Sequence, residues 1–336
     1  MTFLLTLLVI GIIATVHELG HYFVAKRQHI PVKELSIGIG PKIMQKSFHE
    51  TMFSLRLIPI FAYVQLGGTT PDEEQMRNGF MNASPGAKAK VLFAGSVMNV
   101  VLAIVIFIIL FMGIGIYSEE AEIGQVYENS AAQLAGIEAG DEIVAIDGTT
   151  VSSWEEMSQL IQDSKDEILL SVSRDEQQMD ISLTPAIDEE TGRKLIGIER
   201  ARIRLNLFQA VYQGTMQSLA FIIMMLQGLW MMISGTAPAD VSGPVGIANM
   251  VREASSMGLT SLAHFTAILS LNLAIINLLP IPGLDGGKLM IVLLEKVRGK
   301  RLPFEKEAAI NLIGFALLIA IMLIATYKDL MKLIGV

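Results

Sequence analysis

ATVHELGHYFVAK, residues 14–26, sets two histidines, His17 and His21, and an acid, Glu18, inside a run that otherwise reads as a membrane span. They are the only acidic, basic or imidazole side chains between Thr2 and Ala25. Such groups are costly in hydrocarbon and persist there where they bind something or carry protons. HELGH fits the H-E-x-x-H pattern. On a helix, positions i and i+4 share a face, so both imidazoles can reach one zinc ion. Glu18 then stands where it can take a proton from an activated water. The alternative reading is a pair of pore-lining or interhelical hydrogen-bonding histidines.

The rest of the chain sets that stretch in a membrane. Of 336 residues, 52% are hydrophobic, and the mean hydropathy is +0.52, which points to a polytopic membrane protein. The net charge of -8 suggests no nucleic-acid partner. The absence of cysteine excludes disulfides, thiolate catalysis and Cys-based zinc sites. No basic residue precedes the first apolar run and no small-residue cleavage site follows it, so residues 1–25 are expected to be retained.

Four runs reach the roughly 20 residues a bilayer crossing needs: 2–25, 91–117, about 264–285 and 308–327. A fifth, 219–233, is shorter and follows the polar QGTMQS; it reads as an interfacial or re-entrant helix, and LNLFQAVYQGTMQSLAF as amphipathic. Residues 26–90 hold nine Lys/Arg and 295–307 five more, whereas 118–200 carries 20 acids against 5 bases. Basic loops stay in the cytoplasm. Four crossings therefore place the first and third loops inside, with the acidic segment and both termini outside.

The expected organisation has four parts. Residues 1–117 carry two spans and a cytoplasmic loop, 118–200 a small soluble domain, 201–262 amphipathic or interfacial helices, and 263–336 the last two spans. Within the soluble part, AGIEAGDEIVAIDGTTV resembles PDZ domains in their permuted bacterial form, and ILLSVSRDEQQMDISLTP reads as a hairpin. In the cytoplasmic loop, MFSLRLIPIFAYVQLGG, 52–68, is strand-like, with Pro59 arguing for an edge.

A hydrolytic zinc site wants a third protein ligand and one open position. Asp285, within NLLPIPGLDGGKLMIVLL (277–294), is an acid flanked by apolar residues. The third span would reach it at the depth of His17 and His21. Pro280, Pro282, Gly283, Gly286 and Gly287 predict a broken helix there, which a membrane tolerates where it lines a polar cavity. Asn277 could hydrogen-bond a substrate carbonyl or hold backbone.

In this order, HELGH, SIGIGPKI, a PDZ module and NLLPIPGLDGG resemble the site-2 protease family, in its bacterial RseP-type branch of intramembrane zinc metalloproteases. FAGSVMNVVLA, 93–103, is similar to the family's second-span element, with Asn99 matching its asparagine. Ser96 stands in place of a usual proline, Gly283 in place of a larger residue, and one PDZ module is visible where some members have two.

The resemblance implies a polytopic α-helical membrane protein of about four spans, with a membrane-associated β-hairpin and one extracytoplasmic PDZ-like α+β domain. It implies zinc on His17, His21 and Asp285, with Glu18 as the catalytic acid/base. Substrate would pair with the hairpin as an added strand through Phe53, Leu55, Leu57, Tyr63 and Val64, and would touch Asn277. Expected substrates are single-span membrane proteins, such as anti-sigma factors or remnant signal peptides, pre-trimmed by another protease at the bacterial cytoplasmic membrane. The competing class is a PDZ-containing membrane transporter or adaptor using the histidines for metal or protons. Transporters usually show internal repeats, and none is found.

Overall fold

A computed structural model describes residues 2–73, 75–164, 166–189, 191–237 and 242–334. The elements are, in order, α1 (Thr2–Arg27), β1 (Val32–Phe48), β2 (Thr51–Leu66), α2 (Pro85–Gly113), β3 (Ile116–Tyr117), β4 (Ile123–Val126), α3 (Ala131–Leu134), β5 (Glu142–Ile146) and β6 (Thr149–Thr150). Then come α4 (Trp154–Asp163), β7 (Ile168–Arg174), β8 (Gln177–Leu183), β9 (Ala186–Ile187), β10 (Lys194–Leu195), β11 (Ile198–Arg200) and β12 (Arg202–Ile203). Last are α5 (Leu207–Ile233), α6 (Pro244–Ser256), α7 (Leu259–Leu278), α8 (Asp285–Arg298) and α9 (Phe304–Leu333). They form two compact units, Met1–Ile108 with Val211–Val336, and Ile109–Ala210.

Among the described residues five helices, α1, α2, α5, α7 and α9, are long and apolar enough to cross a membrane. Lys26 and Arg27 close α1 where its dipole favours cations. Gly20 lets α2 approach, because a Cβ there would collide with the Ala94 carbonyl. Val9 and Ile13 of α1 pack with Leu269 of α7, while the Ser270 hydroxyl donates to the Asn99 carbonyl of α2 at 2.8 Å.

Two expectations about helices are corrected. The run 219–233 is the second half of one continuous 27-residue helix, α5. QGTMQS does not interrupt it, because the Thr215 and Ser218 hydroxyls donate back to the Val211 and Gly214 carbonyls at 2.7 and 2.8 Å. The span expected over 264–285 ends earlier, at Leu278. Pro280 and Pro282 bring no N–H to the ladder, and Gly283 turns the chain at φ +93°, so Asp285 opens a separate helix, α8. SGPVGIA spans residues 242–248. It opens α6, with Gly246 N–H donating to the Asp329 carboxylate of α9 at 2.7 Å.

β1 and β2 are long, bent and paired twice over. SIGIGPKI lies within β1. Residues 34–37 of β1 pair on one side with 62–65 of β2 and on the other with 52–55, and 44–48 pair with 51–55 beyond. The spatial order is therefore 44–48, 51–55, 34–37, 62–66. His49 and Glu50, both at positive φ, make the tight turn that twists with the strands.

The second unit is built on the antiparallel sheet β6-β5-β7-β8. Its inward face, Ile143, Ile146, Ile168, Leu170 and Val172, packs with Met157 and Ile161 of α4. Asp147-Gly148 and Asp175-Glu176 supply the two-residue turns. The Asp141 side chain, 1% exposed, takes a forked pair from Arg174, Nε at 2.6 Å and Nη2 at 2.7 Å.

Candidate active site

One helix turn separates His17 from His21, and both are 8% exposed on the inner face of α1. Their Nε2 atoms lie 3.1 Å apart, and Asp285 Oδ2 is 3.1 Å from each. Three donor atoms thus form a triangle of equal sides. Ligands about 2.0–2.1 Å from a tetrahedral zinc stand roughly 3.3 Å from one another, so the residues fit that ion. Among the described residues this is the one His/Cys/Asp/Glu group that could hold a metal.

Each ligand is oriented from behind. His21 Nδ1 donates to the Val91 carbonyl of α2 at 2.7 Å, which leaves the Nε2 lone pair facing the triangle. His17 Nδ1 lies 3.5 Å from Asn277 Nδ2. Asn277 therefore sits against a ligand. Asp285 holds the first turn of α8, where the helix dipole favours a carboxylate.

Glu18 faces a cavity of about 520 Å³ that His21, Asp285, Lys288, Tyr63 and Val64 also line. Its Oε2 accepts the main-chain N–H of Val64 at 2.9 Å. Farther along, the same cavity meets the Lys88–Glu295 ion pair, 3.1 Å long. A polar space so walled can admit water to the triangle.

The structure divides the expected substrate contacts. Tyr63 and Val64 reach the site on the outer half of β2, with Arg56 Nη2 donating to the Tyr63 hydroxyl at 2.7 Å. Phe53 and Leu55 do not. Each is paired on both sides, Phe53 with Leu35 and Lys46, Leu55 with Ile37 and Met44, so their strand has no edge left for an added partner. Phe53 instead meets the Tyr22 ring of α1, 5.6 Å between centroids. Leu57 is exposed at the bend.

Gly95, one turn below Asn99, was not singled out by the sequence reading. A Cβ on it would stand 2.5 Å from His21 Nε2 and 2.6 Å from His17 Nε2. FAGSVMN thus lies against the imidazoles through its glycine. Its place in a motif-like run was the available signal.

Comparison with known proteins agrees with this chemistry. A family model described as Peptidase family M50 matches residues 5–321. A candidate zinc metalloprotease of Clostridium acetobutylicum is 36% identical over 97% of this chain and 96% of its own length. Zinc metalloprotease RasP of Oceanobacillus iheyensis is 30% identical over 97% and 98%. A protein of Bacillus subtilis named regulator of sigma-W protease RasP is 28% identical over 97% of both chains. A solved PDZ domain of Listeria innocua, 28% identical, covers 25% of this chain and 97% of its own with a TM-score of 0.23.

Proposed function

The chain belongs to peptidase family M50 and is an intramembrane zinc metalloendopeptidase of regulated proteolysis, and from that premise we propose that His17, His21 and Asp285 hold its zinc and that Glu18 is its acid/base. The triangle of donor atoms 3.1 Å on a side carries the assignment. Zinc held there supplies Lewis acidity, polarising the scissile carbonyl and making water acidic enough to attack near neutral pH.

The protein's own groups do the remainder. Glu18 takes the proton of the attacking water and passes it to the leaving nitrogen. The Val91 carbonyl and Asn277 keep both imidazoles turned to the ion. A membrane helix must unwind before its amide can be reached, and its backbone then needs new partners. The outer edge of β2, residues 62–66, offers them, and a substrate strand adds there.

Helix direction supports the topology we propose. The Val9, Ile13 and Leu269 cluster at one level and the His17–Asn277 contact at the other make α1 and α7 run parallel. An odd number of crossings therefore lies between α1 and α7, and α2 alone supplies it. The 13 residues of α6 span only about 20 Å, too few to bring back a crossing by α5. Gly214 and Phe221 of α5, two turns apart, both meet Phe107 of α2. The topology proposed has four crossings, with α5 interfacial, residues 26–90 inside and the acidic PDZ-like unit outside, in keeping with the charge of those segments.

Substrates are single-span proteins, anti-sigma factors among them, with an outer segment first shortened by another protease. The test offers a tagged single-span peptide with a short outer segment to the protein in liposomes. The expected result is cleavage within the span by wild type, stopped by a zinc chelator and absent in Glu18→Gln, which still binds one zinc. Cleavage by Glu18→Gln would remove Glu18 from its role.

A further inference from the structure

The catalytic carboxylate and the substrate's docking edge share one hydrogen atom. Val64 pairs with Leu35 on its inner side, yet its N–H points away from that partner, to Glu18 Oε2 at 2.9 Å. In an antiparallel strand a residue's N–H and C=O face the same side. Ala62, Val64 and Leu66 therefore present their main-chain groups outward, and no strand among the described residues pairs with them there. A strand added to this edge must direct a carbonyl at Val64 N–H, the position Glu18 occupies.

We propose that the Val64 main-chain N–H is a positioning group that ties substrate docking to the base, holding Glu18 aside until an added strand displaces it. The inference rests on strand addition along 62–66. Without a docked strand, Glu18 is tethered to the sheet. When a substrate carbonyl takes the Val64 proton, the carboxylate is released into the cavity it shares with His21 and Asp285. Peptides that reach the site without extending along β2 leave the tether in place, so the enzyme selects for chains that unwind into a strand. This is specificity by assembly of the site on binding.

The test compares two inactive variants of the zinc-loaded full chain. Glu18→Gln keeps an oxygen that accepts the Val64 N–H, whereas Glu18→Ala removes it, and both lose the charge. Residue-resolved hydrogen exchange reads the Val64 amide, and titration with an uncleaved single-span peptide reads affinity. Without peptide, Val64 is expected to be protected in wild type and Glu18→Gln and to exchange about fivefold faster in Glu18→Ala, the worth of one net hydrogen bond. The peptide is expected to bind Glu18→Ala about fivefold tighter than Glu18→Gln and to protect 62, 64 and 66 in both. Protection of the edge by peptide, with equal affinities and equal Val64 exchange, overturns the tether and leaves strand addition standing. Bound peptide that protects none of those three amides overturns strand addition, and the tether with it.

Discussion

Gly95 shows how little room the donor triangle leaves. Its Cα hydrogen faces both imidazoles, and a methyl would enter the space their Nε2 atoms occupy. Gly95→Ala is a good helix substitution by propensity, so its cost should fall on the site. Overpacking of this kind costs about 1–3 kcal/mol, and disturbing the surroundings that orient metal ligands commonly lowers metal affinity about 10–100-fold. Zinc competition against a chromophoric chelator is expected to show that loss, with the fold retained by circular dichroism. Wild-type zinc affinity in Gly95→Ala would mean that α2 shifts without moving the ligands. Such a residue is hard to find in a sequence, because glycine carries no side chain to advertise its role. His17, Glu18 and His21 were legible because three polar groups in an apolar run have few other reasons to be there.

At the scale of elements, pairing decided what composition could not. Phe53 and Leu55 have the same strand-forming character as Tyr63 and Val64, and one pattern covers them all. Only the register separates an interior strand, 51–55, from an open edge, 62–66. The break after Leu278, by contrast, was written in Pro280 and Pro282, and only its position moved.

The second unit gives a test of an element-level contact. Burial pushes the Asp141 carboxyl up, and the Arg174 hydrogen bonds, the Glu138 amide and the Arg174 charge outweigh it, holding the group below the usual carboxylate range. A depressed folded value contributes stability that is complete above the ordinary aspartate pKa of about 3.9 and is lost as pH falls through the folded one. Protection factors of the amides of 143 and 168–172 in the full chain are expected to stay level above about pH 5 and to fall below the carboxylate range. In Asp141→Asn protection at neutral pH should fall by about 2 kcal/mol, the worth of hydrogen bonds to a charge, and its acid dependence should flatten. Unchanged neutral protection would make the forked pair dispensable.

At the scale of the whole molecule, we propose that the second unit selects substrates by their bulk. Tyr117 pairs directly with Arg202, so residues 118–201 can be replaced by an Asn-Gly turn that closes the two short strands. With that replacement, span peptides carrying outer segments of increasing bulk are expected to be cut at similar rates, where the intact protein cuts only the short ones. An unchanged ranking would show that the unit does not gate.

The sequence alone determined the class of protein, the membrane spans in outline, and the chemistry. Hydrocarbon penalises every polar group, so HELGH and LDG stood out against their surroundings. Charge asymmetry between loops is what the proposed sidedness rests on. Tertiary structure decided what depends on distance: that three donors close to 3.1 Å, which half of β2 is open, and that Glu18 reaches Val64 across 46 residues of chain. Polarity is a property each residue carries with it, while an edge or a shared hydrogen exists only once strands and helices have paired.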